Sequence, residues 1–146
     1  MSKLQGCPFV IEMYATTYQG SSFNMIMENA NGGDLFYHLR KAGKFDQERA
    51  RFYAAEMLLA LEHIHDKGII YRDLKPENIV LSMRERGHMK LVDFGFARQL
   101  KYYGQKCLTN CGTPQYIAPE IIRGAGHSFE VDIWCLGVLI ADLASG

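Results

Sequence analysis

The chain has 146 residues, 48% of them hydrophobic. That is enough for one compact domain burying roughly 70% of its unfolded surface, and too short for two ordinary ones. Sixteen basic and sixteen acidic residues give a formal net charge of zero, which excludes an acidic tail or a general nucleic-acid-binding arm. The four cysteines, Cys7, Cys107, Cys111 and Cys135, are too few and too scattered for a disulfide framework. With no hydrophobic leader near Met1, the expected setting is cytoplasmic or nuclear.

Residues 11–18 and 23–28 are β-prone and flank the turn-like Gln19-Gly20-Ser21-Ser22, which predicts an antiparallel hairpin. Asn31-Gly32-Gly33 breaks the second strand. A short helix is expected over residues 34–41, with Asp34 as N-cap and Gly43 beyond its end. A longer one is expected over residues 46–67. There Ala50, Ala54, Met57, Leu61 and Ile64 recur at helical spacing, Asp46 caps the start and Gly68 stops it.

Residues 78–82 and 88–93 flank the polar turn Arg84-Glu85-Arg86-Gly87 and predict a second hairpin. Centring its fold-back between Glu85 and Arg86 sets Asn78 opposite Asp93. Residues 94–128 read mostly as loop. Ser128 is the expected N-cap of a helix over residues 129–144, apolar almost all round as a central buried helix is. Its longest apolar stretch, residues 133–141, is about half of what crosses a membrane.

The chemistry concentrates in Tyr71-Arg72-Asp73-Leu74-Lys75-Pro76-Glu77-Asn78, two charges of each sign and an amide just before a strand. With Asp93-Phe94-Gly95 at the far end of the hairpin, Asp73, Asn78 and Asp93 are oxygen donors beside Lys75. That set suits a divalent metal carrying phosphates. Other residues have plainer readings. Cys107 and Cys111 have a C-x₃-C spacing but no second ligand pair, and His127 is a poor zinc ligand. His63 and His65 complement the end of the long helix. Arg84, Arg86, His88 and Lys90 form the solvated side of a hairpin, and the methionines are core filler.

These motifs resemble those of the eukaryotic protein kinases. Residues 73–78 match the catalytic loop, Asp93-Phe94-Gly95 the metal-binding motif and Ala118-Pro119-Glu120 the end of the activation segment. Tyr71, Cys111-Gly112-Thr113-Pro114 and Asp132-Ile133-Trp134 resemble the AGC group, and within it most of all the cyclic-nucleotide-dependent kinases. The likeness covers essentially the whole chain. It implies an incomplete α+β, protein-kinase-like fold: the end of the small lobe with its hinge hairpin, then the helical large lobe through its central buried helix. Residues 1–146 would thus be a partial kinase domain.

The resemblance also implies roles. Asp73 would accept the proton of a substrate hydroxyl, Lys75 would stabilise the transferring phosphoryl group, and Thr113 would bridge the two. Asn78 and Asp93 would hold Mg2+ against the phosphates of ATP. Met27 would guard the back of the adenine pocket, the backbone of Glu28 and Ala30 would pair with adenine, Val80 would form its floor, and Asp34 would lie near the ribose. Glu77 and Asp34 would favour basic residues before a Ser/Thr acceptor in a protein substrate. Thr109 would be phosphorylated by an activating kinase and pair with Arg72 and Arg98. Asp132 would accept hydrogen bonds from the catalytic-loop backbone. Neither nucleic acid nor membrane is expected as a partner.

The family's glycine-rich loop, strand lysine and helix glutamate have no match here, nor have its later helices. The arginine that pairs with Glu120 is therefore lacking. Low stability and weak or no turnover are expected of residues 1–146. The competing expectation is a catalytically defective, kinase-like module that binds a partner protein.

Overall fold

In the computed structural model, which describes residues 2–85, 87–102 and 104–146, both predicted hairpins and all three predicted helices form. Strands β1 (Met13–Gln19) and β2 (Ser22–Met27) pair antiparallel around Gly20-Ser21, with an irregularity between Met13 and Ala15. Both faces of this hairpin are open, and Tyr14, Tyr18, Phe23, Met25 and Ile26 are exposed. Asn31-Gly32-Gly33 then lies along the second hairpin. The Gly32 amide donates to the Leu81 carbonyl at 2.8 Å, and the Leu81 amide donates to the Gly33 carbonyl at 2.9 Å. A Cβ on Gly32 would sit 2.5 Å from the Leu81 oxygen, so this approach requires glycine.

Helix α1 (Leu35–Ala42) starts where Asp34 Oδ1 accepts from the Tyr37 amide at 2.7 Å, and it ends at Gly43 with φ 78°. Helix α2 (Gln47–Asp66) is capped in the same way by Asp46, which accepts from the Arg49 amide at 2.8 Å. It stops at Gly68, whose φ is 70°. Ala50, Met57, Leu61 and Ile64 are buried as their spacing predicts, and Ala54 lies at the edge of the core.

Strand β3 (Ile69–Ile70) pairs with β6 (Arg98–Gln99), and β4 (Ile79–Ser82) pairs with β5 (His88–Leu91). The β4–β5 register differs by one residue from the sequence expectation. Ile79 faces Leu91, so the neighbour of Asn78 is Val92, whose amide donates to the Asn78 carbonyl at 2.9 Å, and not Asp93. The cause lies in the turn: residues 83–85 form a 3-10 turn, and Gly87, at φ 86°, returns its amide to the Ser82 carbonyl. The turn holds five residues, 83–87, and is centred on Glu85, whereas a fold-back between Glu85 and Arg86 needs an even number. Arg86 itself lies outside the described residues.

Short helix α3 (Pro119–Ile122) follows the long loop, and α4 (Glu130–Ser145) packs on α2. Two expectations about α4 are corrected. Its N-cap is Phe129, with no side-chain cap bond; the Ser128 amide instead donates to Glu130 Oε1 at 3.0 Å. Nor is it buried all round. Val131, Asp132, Cys135, Leu136, Leu139 and Leu143 face the core, while Ile133 and Trp134 are about half exposed. The main core joins Leu35, Met57, Leu61, Ile64, Leu74, Met89, Leu91 and Leu139; a second cluster gathers Ile70, Leu100, Cys107, Ala118, Ile121 and Val131. The four cysteines are free, and no helix among the described residues is long and apolar enough to cross a membrane.

Candidate active site

The segment between β3 and β4 is held by one buried carboxylate. Asp132, with no exposed surface, accepts from the Tyr71 amide at 2.8 Å, the Arg72 amide at 2.7 Å and His65 Nε2 at 2.8 Å. The expected backbone role of Asp132 is thus present. His65 does more than complement a helix end. Arg72 adopts φ 71°, a left-handed conformation uncommon for a side-chain-bearing residue, and the Asp132 bonds hold it there. This turn leads directly into Asp73.

Asp73 is 3% exposed and has partners on both carboxylate oxygens. The Thr113 hydroxyl donates to Oδ1 at 2.7 Å. Asn78 Nδ2 donates to Oδ2 at 2.8 Å and to the Asp73 carbonyl at 2.9 Å. Lys75 Nζ lies 3.0 Å from Oδ2 and donates to Thr113 Oγ1 at 2.8 Å. Asp73, Lys75, Asn78 and Thr113 therefore form one connected group, although Thr113 is 40 residues along the chain from Asp73. Each carboxylate oxygen can accept two bonds, so Oδ1 retains capacity for a second hydroxyl.

Asp93 sits just past β5 with φ 52°, a second left-handed residue, and its Oδ1 accepts from the Gly95 amide at 3.0 Å. Its side chain is exposed, and its other oxygen is free for a cation. The Asn78 nitrogen is spent on Asp73, leaving the amide oxygen as its donor atom. Hard oxygens from a carboxylate and an amide are the ligand set that magnesium takes, so these residues fit the ion. Tyr71, fully buried, joins the two turns: its hydroxyl donates to the Val92 carbonyl at 2.5 Å, and its ring meets Phe94 edge-on at 5.1 Å. Burial first, and the carboxylates of Asp73 and Asp93 next, push the Tyr71 phenol well above its ordinary range.

The remaining predicted residues spread around this centre. Met27 ends β2, Glu28 and Ala30 follow it, and Asp34 forms an isolated antiparallel bridge with Val80. These residues lie along the β4–β5 hairpin, on the side reached by the Gly32–Leu81 bond. Glu77 is exposed next to Asn78. Arg98 lies opposite Ile70 in the β3–β6 pair, and Thr109 is exposed on the loop. Arg72 Nε donates to the Phe96 carbonyl at 2.7 Å, while its Nη1 is buried with no partner. Cys107 and His127 exchange backbone hydrogen bonds, at 2.8 and 2.9 Å, which ties the loop to the chain before α4. Glu120 is half buried and has no ion-pair partner among the described residues.

One prediction fails clearly. Lys90 is not on a solvated face: its side chain is 5% exposed, and Nζ lies 3.1 Å from Glu28 Oε1 and 3.0 Å from Glu85 Oε2. His88 is likewise paired, with the buried carboxylate of Glu56, whose other oxygen accepts from the Met89 amide at 2.9 Å. The basic run along β5 gave no sign of this, because Glu28 is remote in sequence and Glu85, in the turn of the same hairpin, reads as solvated. The expected register set Lys90 opposite Leu81, whereas the structure sets it opposite Val80.

The model of the protein kinase domain matches residues 1–146. The chain belongs to the protein kinase family. It is 45% identical over its whole length to a probable cAMP-dependent protein kinase catalytic subunit of Encephalitozoon cuniculi, covering 44% of that protein. It is 47% identical over 95% of its length to the human cAMP-dependent protein kinase catalytic subunit PRKX, covering 37% of it. Against isozyme 2 of the Drosophila melanogaster cGMP-dependent protein kinase, forms cD5/T2, it is 46% identical over 96% of its length, covering 15%. The chain thus spans less than half of each of these relatives. With them it falls in the AGC group, and its fold is a partial α+β kinase fold.

Proposed function

We propose that this chain carries the catalytic loop, cation ligands and adenine-binding hinge of a serine/threonine protein kinase, which transfers the γ-phosphoryl group of ATP to a protein hydroxyl. The observation that carries this reading is the four-residue group of Asp73, Lys75, Asn78 and Thr113. It places a carboxylate base, a cation and an amide ligand within hydrogen-bond reach of one another.

Asp73 orients the acceptor hydroxyl and takes its proton as the new oxygen–phosphorus bond forms, and the bond from the γ-phosphorus to the bridging oxygen breaks to release ADP. Lys75, 21% exposed, presents its charge to the transferring group while Thr113 fixes its position. Asn78 and Asp93 are the ligands for Mg2+, which supplies charge neutralisation to the phosphates when bound. The backbone of Glu28 and Ala30 pairs with adenine beside Met27, with Val80 beneath the base and Asp34 near the ribose. Exposed Glu77, with Asp34, selects basic residues before the acceptor. A phosphate on Thr109 would pair with Arg72, whose Nη1 is buried without a partner, and with Arg98.

The test is Mg-ATP binding to the purified chain by calorimetry, then phosphate transfer to a serine peptide with preceding arginines. Binding that depends on Mg2+ and is weakened by Asp93→Asn, with any transfer abolished by Asp73→Ala, is the expected result. Failure to bind Mg-ATP would overturn the reading. The half-exposed Ile133 and Trp134 favour a second reading, a module that binds a partner protein through α4. Partner capture that survives Asp93→Asn but not Trp134→Glu would support it.

A further inference from the structure

We propose that Lys90 is a positioning residue for nucleotide binding, holding the start of the hinge at a fixed distance from the metal-binding end of the site. This rests on the nucleotide-site reading above. The hinge segment, residues 28–33, touches the β4–β5 hairpin at both ends. At its far end the backbone of Gly32 and Gly33 is bonded to Leu81 of β4. At its near end no backbone bond to the hairpin exists among the described residues. There the Glu28 amide donates to the Glu12 carbonyl at 2.8 Å, and Glu28 Oε2 accepts from the Glu12 amide at 3.3 Å. The direct link to the hairpin is Lys90 Nζ on Glu28 Oε1; the backbone reaches β5 one step removed, because Ile11, next to Glu12, donates its amide to the Leu91 carbonyl at 3.0 Å.

Lys90 stands three residues before Asp93 on the strand whose end carries that carboxylate. Opposite Lys90 in the ladder is Val80, itself bridged to Asp34. One short strand therefore carries both the brace for the adenine end and the ligand for the phosphate end. Glu85, from the turn of the same hairpin, takes a second bond from Nζ, so the ammonium reaches the hinge from a fixed stem.

Burial of such a charge is not accounted for by stability. Taking an ammonium and a carboxylate out of water costs about as much as their attraction returns, and apolar residues of similar volume hold a fold as well. What an apolar pair lacks is direction. The ion pair defines one distance between β5 and the Glu28 side chain, whereas with Met against Gln only the indirect backbone path through Glu12 and Ile11 sets it.

The experiment compares adenosine with Mg-ATP on the full chain by calorimetry, for the unsubstituted protein, Lys90→Met, Lys90→Arg, Glu28→Gln and the double variant Lys90→Met/Glu28→Gln. Adenosine engages the hinge alone; Mg-ATP needs hinge and cation ligands in register. Lys90→Met is expected to weaken Mg-ATP about tenfold, the usual scale for a partner that orients a ligand. Adenosine should lose less than half of that factor. Lys90→Arg should restore most of the affinity, and the double variant should bind no worse than Lys90→Met, since the two residues act through each other. The double variant leaves only the half-exposed Glu85 without its partner and no buried unpaired charge, so its melting curve keeps the test valid if Lys90→Met alone unfolds. Equal losses for adenosine and Mg-ATP, or unchanged Mg-ATP affinity in a folded variant, would overturn the proposal while leaving the nucleotide site standing. No binding by the unsubstituted chain would overturn both.

Discussion

Replacing Asp132 by alanine should be the most destabilising single change in the catalytic loop. The carboxylate, with no exposed surface, is the acceptor for the Tyr71 and Arg72 amides at 2.8 and 2.7 Å and for His65 at 2.8 Å. Its removal leaves two backbone N–H groups buried, at roughly 1–3 kcal/mol each; His65, partly exposed, can turn to water. The sum is about 2–6 kcal/mol against a total stability of roughly 5–15 kcal/mol for a domain. At roughly 2–4 °C per kcal/mol, the melting midpoint should fall by about 5–20 °C. Asp132→Asn keeps one acceptor oxygen and should lose about half as much. Circular dichroism melts give the midpoint, and hydrogen exchange at the amides of Tyr71 and Arg72 localises the change, since those two should lose protection first. If Asp132→Ala melts within about 2 °C of the unsubstituted chain and both amides stay protected, the loop is held by something else.

Three further outcomes follow from the same packing. Iodoacetamide should label the half-buried Cys111 first and Cys135 last, because burial pushes the Cys135 thiol up to about 12 and its Sγ bonds to the Tyr116 carbonyl at 3.1 Å; mass mapping that finds Cys135 labelled as fast as Cys111 would contradict this. Burial, with the Arg72 charge second, lowers the His127 pKa below its ordinary 6.5, against weaker opposing effects of Glu130, Glu120 and Asp132. The unfolded chain then binds the extra proton, so stability should fall as pH drops below 6.5, and His127→Gln should flatten the urea midpoint over that range; an unaltered slope would refute it. Gly32→Ala would drive a Cβ to within 2.5 Å of the Leu81 oxygen and should cost about 1–3 kcal/mol, measured by urea denaturation; a neutral result would show that the hinge does not lie on β4 as described.

What was legible in the sequence was whatever a local rule controls. Asp34 and Asp46 cap helices at the predicted positions because a short carboxylate reaches an amide three residues on, and Gly43 and Gly68 end them because φ there is positive. Asp73, Lys75 and Asn78 lie together as their spacing implies, and Thr113 joins them as only the family resemblance implied. What escaped was set by one-residue geometry. Asn78 faces Val92 because the 83–87 turn is centred on Glu85, and α4 exposes Ile133 and Trp134 because a helix apolar all round does not say which neighbours are present. Lys90 and His65 escaped for a different reason. A basic side chain on a strand, or a histidine at a helix end, reads as solvated unless its buried carboxylate partner is known, and Glu28 and Asp132 are remote in sequence from both.

The two side-chain-bearing residues with left-handed backbone among the described residues, Arg72 and Asp93, lie at the two motifs on which the site depends. Such a conformation costs of order 1–3 kcal/mol and persists only where the surroundings over-determine it. Here Asp132 fixes the first turn through two amides, and the Val92 carbonyl, just before the second, is held by the Tyr71 hydroxyl. Tyr71 belongs to both: its amide is on Asp132, its phenol on Val92 and its ring against Phe94. Because burial and the neighbouring carboxylates keep that phenol protonated far above neutrality, it remains a donor to the carbonyl at neutral pH. A single neutral side chain thus ties the turn before Asp73 to the turn at Asp93 without adding a charge of its own.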